Sequence, residues 1–433
     1  MYLTARLPLL VAFGVVPVVL LSIAGLDAWL LTLGWLVLCV ALAVTDAAAA
    51  PDPRRLRIER TVPRRVRLGE QVVTTMTIRN TGTRGVRGRV RDAWQPTAGA
   101  PEERAGIDIP PGEGRTIRVP LLPRRRGELR SLFVVVRSDG PLRLAGRQAR
   151  IDAPGAIRVL PPFTARRHLP SRLARLRELD GSTSVQVRGQ GTEFDSLREY
   201  VRGDDVRSID WRATARSSST MIRTWRPERD RHVVIVIDTG RTAAARVGDG
   251  VRLDAAMESA LLLSALAQRA GDHVHLVMFD RAPRARVTRV DGPGLLPALV
   301  DAMAPVEPQL IDTDWDAAFA QVRALTSRPS LVVVLTAQDS VDASRGFLGS
   351  LPAVAQRAHV LVGTVTDDAP EPVARPDATE VYREAAAERA AREASRVAAA
   401  MARAGAEAIA ADPESLPPRI ADRYLALKAA GRL

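Results

Sequence analysis

The chain has 433 residues, of which 46% are hydrophobic, and its formal net charge is +13. This length exceeds one ordinary core and predicts roughly three folded units of ~150 residues each. The single cysteine, Cys39, excludes a disulfide framework and a thiolate metal cluster. Arginines spread along the whole sequence carry almost all of the positive charge, so we expect no nucleic-acid partner.

Two apolar segments lie at the start of the chain. Residues 7–24 and 28–44 contain no charged residue, and each approaches the ~17–25 residues that a membrane span needs. A three-residue turn joins them, which predicts a transmembrane helical hairpin over residues 1–50. Arginines outside both spans place both ends in the cytoplasm by the positive-inside rule. We therefore expect a multi-pass membrane protein with most of the chain cytoplasmic; a cleaved signal peptide is the alternative.

Residues 51–165 read as short strands. Apolar residues alternate with polar ones around Val72, Met76 and Ile78, and Gly112 and Gly127 mark turns. This pattern is typical of a small antiparallel β-sandwich. Its many arginines fit a solvated sheet face, or contact with anionic membrane lipid as a partner.

Strands alternate with helices in the second half. Residues 232–370 contain predicted strands at 232–237, 275–280, 331–336 and 359–365, and helices at 253–269 and 314–326. Alternation of this kind predicts right-handed crossovers and a parallel sheet. Residues 166–231 form a linker block packed on this domain. Residues 371–433 are expected to form terminal helices with a short strand.

Polar side chains lie at the ends of two of these strands and before one helix. Asp238 and Thr242 follow the first strand, Thr313 precedes a helix, and Thr336 and Asp339 follow a later strand. Hard oxygen ligands on three loops at one sheet edge suit Mg²⁺, with water in the remaining positions. The alternative is that they are turn and helix-capping residues.

The sequence contains no motif that is typical of an enzyme. None of the five histidines has zinc-protease spacing, and there is no nucleophile elbow and no Walker phosphate loop. We therefore predict a protein that is not an enzyme and has no catalytic residue.

A long block between residues 191 and 216 resembles a known bacterial family. The block reads G-x-E-F-x-x-L-R-x-Y-x-x-G-D-x-x-R-x-I-D-W-x-x-x-A-R. It is carried here by Gly191, Glu193, Phe194, Leu197, Arg198, Tyr200, Gly203, Asp204, Arg207, Ile209, Asp210, Trp211, Ala215 and Arg216. It is similar to the family catalogued as domain of unknown function 58, which is associated with MoxR-type AAA+ ATPases and carries a von Willebrand factor A-like domain.

The resemblance implies a fold and a site. The fold would be an α/β von Willebrand A-like, Rossmann-like parallel sheet, preceded by the hairpin and the β-sandwich. The metal-ion-dependent adhesion site of such domains has the pattern D-x-S-x-S, with a threonine and an aspartate on later loops. Asp238, Thr242 and Thr313 match it as possible Mg²⁺ ligands. Gly240 replaces the first serine, and Asp339 lies two residues after the expected aspartate.

The resemblance also implies a function. It points to a membrane-anchored scaffold or adaptor in the bacterial inner membrane that binds a MoxR-like AAA+ ATPase and serves assembly or quality control of envelope complexes. The partner-binding set would be Asp238, Gly240, Thr242, Thr313 and Asp339. A membrane-associated hydrolase, or a Mg²⁺-dependent adhesion or signalling receptor, is the alternative.

Two interpretations of the block remain open. In one it is a recognition surface, with Arg198, Arg207 and Arg216 in contact with a partner. In the other it is an ion-pair lattice that fixes the segment to the sheet, with Trp211 as an apolar anchor, because buried charges are costly unless they are paired.

Overall fold

The computed structural model describes residues 1–186, 193–202, 204–226, 231–248, 250–366 and 378–433. Gly191 and Gly203 of the block lie outside these ranges, and the side chain of Glu193 is not described. The chain divides into two compact units, Met1–Leu160 and Pro161–Leu433.

The first unit contains three helices and an array of strands. The helices are α1 (Arg6–Phe13), α2 (Val15–Ile23) and α3 (Ala28–Ala49). The strands are β1 (Tyr2–Leu3), β2 (Leu56–Thr61), β3 (Arg65–Arg67), β4 (Val72–Asn80), β5 (Val86–Trp94), β6 (Ala105–Ile109), β7 (Gly114–Leu121), β8 (Gly127–Asp139) and β9 (Ala145–Leu160).

The N-terminal helices are apolar and exposed. Arg6–Ile23 and an 18-residue stretch within Ala28–Arg55 each have a mean hydropathy of 2.2, and only 6% and 11% of their residues are buried. Both are long and apolar enough to cross a membrane. Asp27 begins α3 by accepting hydrogen bonds from the N–H groups of Trp29 and Leu30, each at 2.9 Å.

Two sheets enclose the core of the first unit. One has the strand order β1-β9-β8-β5-β6, with β3 beside β9, and the other has the order β2-β4-β7. Alternate residues of β4 and β8 point inward, so Ile78 and Val134 are fully buried between the sheets. Period-two alternation therefore places the core here.

The second unit mixes helices and strands. Its helices are α4 (Leu169–Gln186), α5 (Trp211–Thr214), α6 (Arg252–Arg269), α7 (Leu295–Met303), α8 (Trp315–Leu325), α9 (Arg345–Ala355), α10 (Ala378–Arg403) and α11 (Leu416–Ala429). Its strands are β10 (Glu193–Glu199), β11 (Met221–Arg226), β12 (His232–Asp238), β13 (Arg246–Val247), β14 (Gly250–Val251), β15 (His273–Phe279), β16 (Pro283–Val287), β17 (Leu331–Leu335), β18 (His359–Val365) and β19 (Ala406–Ala411).

The main sheet of this unit has the order β16-β15-β12-β17-β18-β19. Strands β12 and β17 are buried along almost their whole length, as expected of strands covered on both faces. One face, with Val234 and Val236, belongs to a cluster that includes Phe319 of α8, Phe347 of α9 and Met401 of α10. The carboxyl end of β12 therefore meets the loops after β15 and β17.

The predicted von Willebrand A-like, Rossmann-like parallel-sheet fold is wrong. Strand β16 pairs antiparallel with β15, so the main sheet is mixed. Only three residues separate these two strands, which is too short for a crossover helix, and the chain must return antiparallel. Elsewhere antiparallel pairs predominate in the described chain, including β8 with β9, β4 with β7, and β10 with β11.

Candidate functional site

The carboxylate of Asp238 is the meeting point of three loops. It lies at the carboxyl end of the central strand β12 and is only 3% exposed. Thr242 follows on its own loop, Thr313 comes from the loop before α8, and Thr336 directly follows β17. The structure thus brings together Asp238, Gly240, Thr242 and Thr313 of the predicted set.

Four donors saturate this carboxylate. Oδ1 accepts from the backbone N–H of Gly240 at 2.8 Å and from the Thr313 hydroxyl at 2.5 Å. Oδ2 accepts from the hydroxyls of Thr336 at 2.7 Å and Thr242 at 3.2 Å. A charged acceptor with several donors forms stronger hydrogen bonds than a neutral one, so Asp238 ties the three loops together.

Gly240 occupies a position that has no room for a side chain. A Cβ atom there would overlap the Thr313 hydroxyl oxygen, and it would lie 2.9 Å from the Ile311 carbonyl oxygen. Gly240 therefore has a steric reason to carry no side chain, because the Thr313 hydroxyl occupies the space beside Asp238.

Asp339 does not join the other predicted site residues. Its carboxylate lies 3.5 Å from a guanidinium nitrogen of Arg252, and the ion pair is partly exposed. Instead, Thr336 is the residue after β17 that donates a hydrogen bond to Asp238. Its signal in the sequence is its place directly after a buried apolar strand, where a hydroxyl faces the end of the neighbouring strand.

A second carboxylate is hydrogen-bonded at the same edge of the sheet. It was not predicted from the sequence. Asp280 follows β15 and is fully buried; it accepts from Thr239 at 2.9 Å and from Arg284 at 2.6 Å. Burial alone would raise the pKa of this carboxyl. The hydrogen bonds from Arg284, the Arg281 N–H and Thr239 outweigh burial and hold its pKa below its usual range. An aspartate at the end of an apolar strand is the signal that marks it.

The donor set at this edge does not suit tight Mg²⁺ binding. Magnesium favours near-octahedral oxygen ligands with one or two carboxylates, whereas both oxygens of Asp238 already accept two hydrogen bonds each. The described residues hold no group of three or more histidine, cysteine or acidic side chains placed to bind a metal. The adjoining cavity, lined by Asp238, Arg252 and Gly363, measures ≈ 10 Å³, about the space that one water needs.

The family block forms a hairpin of β10 and β11 with its own ion pairs. Arg198 bonds Asp204 at 2.6 Å, and Arg223 bonds Asp210 at 2.7 Å. The N–H groups of Arg212 and Ala213 also donate to Asp210. The hydrogen bond from Ala213 and that from Arg223 lower the pKa of this carboxyl. These pairs stabilise the loop between the two strands.

The same hairpin exposes large apolar side chains, and Trp211 is not an apolar anchor. Trp211 is 71% exposed. Leu197, Val201 and Val206 are also exposed. We call these four residues, together with four exposed arginines of the same hairpin, the Trp211 surface. The arginines are Arg202, Arg207, Arg212 and Arg216.

Tyr200 of the block is half-buried, and its N–H donates to the Thr220 carbonyl at 2.7 Å. It therefore serves the hairpin and adds no exposed ring to the Trp211 surface.

Comparison with known proteins gives relatives and a family. Uncharacterised proteins of Mycobacterium bovis and Mycobacterium tuberculosis are 26% identical over 216 residues, which is 48% of this chain and 65% of theirs. The chain thus spans less than two thirds of the length of these relatives.

Among solved structures, the CARDB domain of a Pyrococcus furiosus protein is 18% identical, with a TM-score of 0.20 over 24% of this chain and 94% of that one. A complex of Zinc 2-glycoprotein with Prolactin inducible protein from human seminal plasma is 15% identical, with a TM-score of 0.20 over 25% of this chain and 99% of that one. Residues 196–411, just under half of the chain, match the family described as Protein of unknown function DUF58, which confirms the family resemblance for this segment.

Proposed function

We propose that this chain is a non-enzymatic, membrane-anchored adaptor whose C-terminal unit binds a protein partner. The observation that carries the proposal is the Trp211 surface, which exposes a tryptophan within the segment that matches the family. Tryptophan and arginine are the residues most enriched among those that dominate binding energy at protein interfaces. A hairpin that exposes both kinds of side chain favours recognition of another protein.

The charges of this surface favour an acidic partner. Arg202, Arg207, Arg212 and Arg216 form no ion pair with any residue of the described chain, whereas Asp204 and Asp210 are already paired within the hairpin. Guanidinium groups that form no ion pair within the described chain are available to carboxylates on a partner. Complementary charge speeds the encounter and selects among partners.

The sheet edge favours binding over turnover. Asp238 is saturated with donors, and the cavity beside it holds about one water, which leaves no space for a small organic substrate. A hydrolase would need a nucleophile and a substrate pocket. Asp339 is exposed beside its ion pair with Arg252, and in this proposal it contacts the partner from there.

The family resemblance supplies the identity of the partner and the cellular setting in this proposal. The partner is a MoxR-like AAA+ ATPase, and the task is assembly or quality control of envelope complexes. The two apolar N-terminal helices and their flanking arginines support a multi-pass anchor in the bacterial inner membrane with the remaining chain in the cytoplasm.

A binding assay with purified components tests the proposal. The full chain in detergent is immobilised and exposed to the purified MoxR-like ATPase of the source organism, with and without Mg²⁺. Trp211→Ala should weaken the Kd by roughly 30-fold, because loss of a central hot-spot side chain costs about 2 kcal/mol. Leu310→Ala is the matched control, since Leu310 is an apolar residue of the same unit that is 78% exposed.

Unchanged affinity in Trp211→Ala would remove the Trp211 surface from the interface. Absence of any measurable binding by the unmodified chain would end the adaptor proposal for this partner.

A further inference from the structure

Both outer ends of the N-terminal helical hairpin form hydrogen bonds with the turn between β8 and β9. Strand β1 precedes the first helix and pairs with β9, where Tyr2 lies opposite Gly146. The Thr4 N–H donates to the Leu144 carbonyl at 3.0 Å, and the Thr4 hydroxyl donates to the Arg143 carbonyl at 2.5 Å. The start of α1 is therefore held at the turn.

The end of α3 is held at the same turn by a buried carboxylate. Asp46 is 2% exposed and accepts hydrogen bonds from the N–H groups of Leu142 at 2.7 Å, Leu144 at 2.7 Å and Ala145 at 2.9 Å. A Cβ atom on Gly140 would overlap the Asp46 carboxylate, so the close approach requires glycine there. Three donors satisfy a charge that would otherwise be costly to bury.

Two arginines mark where α3 ends. Arg147 donates to the carbonyls of Ala47 at 3.1 Å and Ala48 at 2.9 Å, and Arg84 donates to that of Ala49 at 2.7 Å. Cations at this position satisfy the unpaired carbonyls and the negative end of the helix dipole. They place a polar layer at the end of the apolar helix.

The tip of the turn is apolar and exposed beside this layer. Leu142 is 53% exposed, and Pro141 is exposed too. Asp46 lies three residues before Ala49, the last residue of α3, which is about 4.5 Å along the helix axis at 1.5 Å per residue. Because the Leu142 N–H donates to Asp46, the turn lies on the apolar side of the helix end. Leu3, on β1, adds a second leucine that is 59% exposed at the same junction.

We infer that the β8–β9 turn, residues 140–144, is a second membrane contact that binds the lipid surface directly. Leu142 enters the boundary between headgroups and acyl chains, and Arg6 and Arg143 bind lipid phosphates beside it. The inference rests on the membrane anchor of the proposed function. It adds a lipid-binding site on the β-domain, which fixes that domain at the bilayer surface.

Lipid is the partner that the surroundings favour. The exposed side chains of Leu3 and Leu142 lie where both outer ends of the apolar hairpin meet the turn, beside the polar layer at the end of α3. Arg6 and Arg143 form no ion pair within the described chain, so their charges are available to anionic headgroups. Amphipathic elements with leucine beside arginine lie at this depth of a bilayer.

Spin labels at single cysteines test the inference in the full-length protein. Cys39 is replaced by alanine, and nitroxides are attached to Leu142→Cys, Leu33→Cys and Leu132→Cys in vesicles of phosphatidylcholine and phosphatidylglycerol. Leu33 on α3 is 60% exposed, and Leu132 on β8 is 62% exposed. Leu132 lies seven residues along β8 from Asp139, or about 23 Å at ~3.3 Å per residue, and is the matched control.

The readout is the collision rate of each label with oxygen, which concentrates in the bilayer, relative to a water-soluble nickel complex. We expect Leu33→Cys to favour oxygen, Leu132→Cys to favour nickel, and Leu142→Cys to exceed Leu132→Cys several-fold in the oxygen-to-nickel ratio. Arg6→Gln with Arg143→Gln should abolish the extra depth that phosphatidylglycerol gives the label at position 142.

Two results would overturn the inference and differ in meaning. Equal ratios at positions 142 and 132, with position 33 in the bilayer, would leave the anchor intact and remove the turn from the membrane. An aqueous label at position 33 would overturn the membrane anchor of the proposed function, and the lipid-binding turn with it.

Discussion

At the residue scale, Asp238 joins three loops through hydrogen bonds. Its two oxygens accept hydrogen bonds from Gly240, Thr242, Thr313 and Thr336, which come from three separate parts of the chain. Sequence spacing predicted that Asp238, Thr242 and Thr313 would meet. It could not show that the hydroxyls point at the carboxylate, because the direction of a side chain depends on packing that spacing does not encode.

Replacing Asp238 by alanine should lower the free energy of unfolding by about 2–4 kcal/mol. Each hydrogen bond to a charged group contributes ~1.5–3 kcal/mol, and the buried Thr336 hydroxyl would lose its acceptor. Urea unfolding followed by circular dichroism measures the change. Asp339→Ala is the control, because its partly exposed ion pair should cost no more than ~1 kcal/mol. An Asp238→Ala protein of unchanged stability would contradict the role of Asp238 in joining the three loops.

Gly240→Ser should destabilise the protein. The new Cβ atom collides with the Thr313 hydroxyl, and overpacking of this kind costs about 1–3 kcal/mol. Thr313→Ala removes the colliding atom but also a hydrogen bond to Asp238, so the double variant with Gly240→Ser should lose less stability than the sum of the two single losses. Thermal unfolding of the three variants measures the difference, and additive losses would argue against the steric explanation.

At the element scale, the amino ends of β12 and β15 bring three histidines together. His232 lies opposite His273, and the rings of His232 and His275 are stacked with centroids 5.3 Å apart. His232 Nδ1 and His275 Nε2 are 3.0 Å apart. Burial, followed by the charges of the two other histidines, lowers the pKa of His275 below its usual value of 6.5.

The histidine stack predicts a loss of stability in mild acid. The unfolded chain takes up a proton at His275 below pH ~6.5, whereas the folded chain resists protonation, so the free energy of unfolding falls as the pH decreases. The loss continues until the pH passes the lowered pKa of the folded state. Each unit of difference between the pKa values of the folded and unfolded states lowers the free energy of unfolding by about 1.4 kcal/mol.

Urea unfolding at pH 8, 6.5 and 5.5 measures this effect. His275→Gln should show a flatter decline than the unmodified chain between pH 6.5 and 5.5, with the reading at pH 8 as the reference in which His275 is neutral. Identical slopes for the two proteins would assign the acid sensitivity to other groups.

The elements also show what the sequence could predict. Helix α6 and strand β18 were located within one residue from apolar periodicity, because each buries a large apolar surface. Strand β16 was missed, since Pro283–Val287 is largely exposed at a sheet edge and carries no periodic signal. That single strand makes the main sheet mixed.

At the scale of the whole molecule, composition predicted an apolar N-terminal hairpin and a β-rich region, and both are present. The fold class was wrong because a parallel sheet was predicted, whereas β16 pairs antiparallel with β15 and the main sheet is mixed. The Trp211 surface was also beyond reach, because exposure depends on which residues pack on the hairpin. The residue types in the block indicate the family, but they do not indicate whether Trp211 is buried or exposed.

Asp46 also orders events during synthesis. Its three hydrogen-bond donors lie 96 to 99 residues later in the chain. The helical hairpin therefore leaves the ribosome before the turn that supplies the hydrogen-bond donors of Asp46 exists. Until Ala145 emerges, Asp46 must stay hydrated, because a buried carboxylate without donors is costly. Completion of the β8–β9 hairpin then closes the first unit around its own N-terminus.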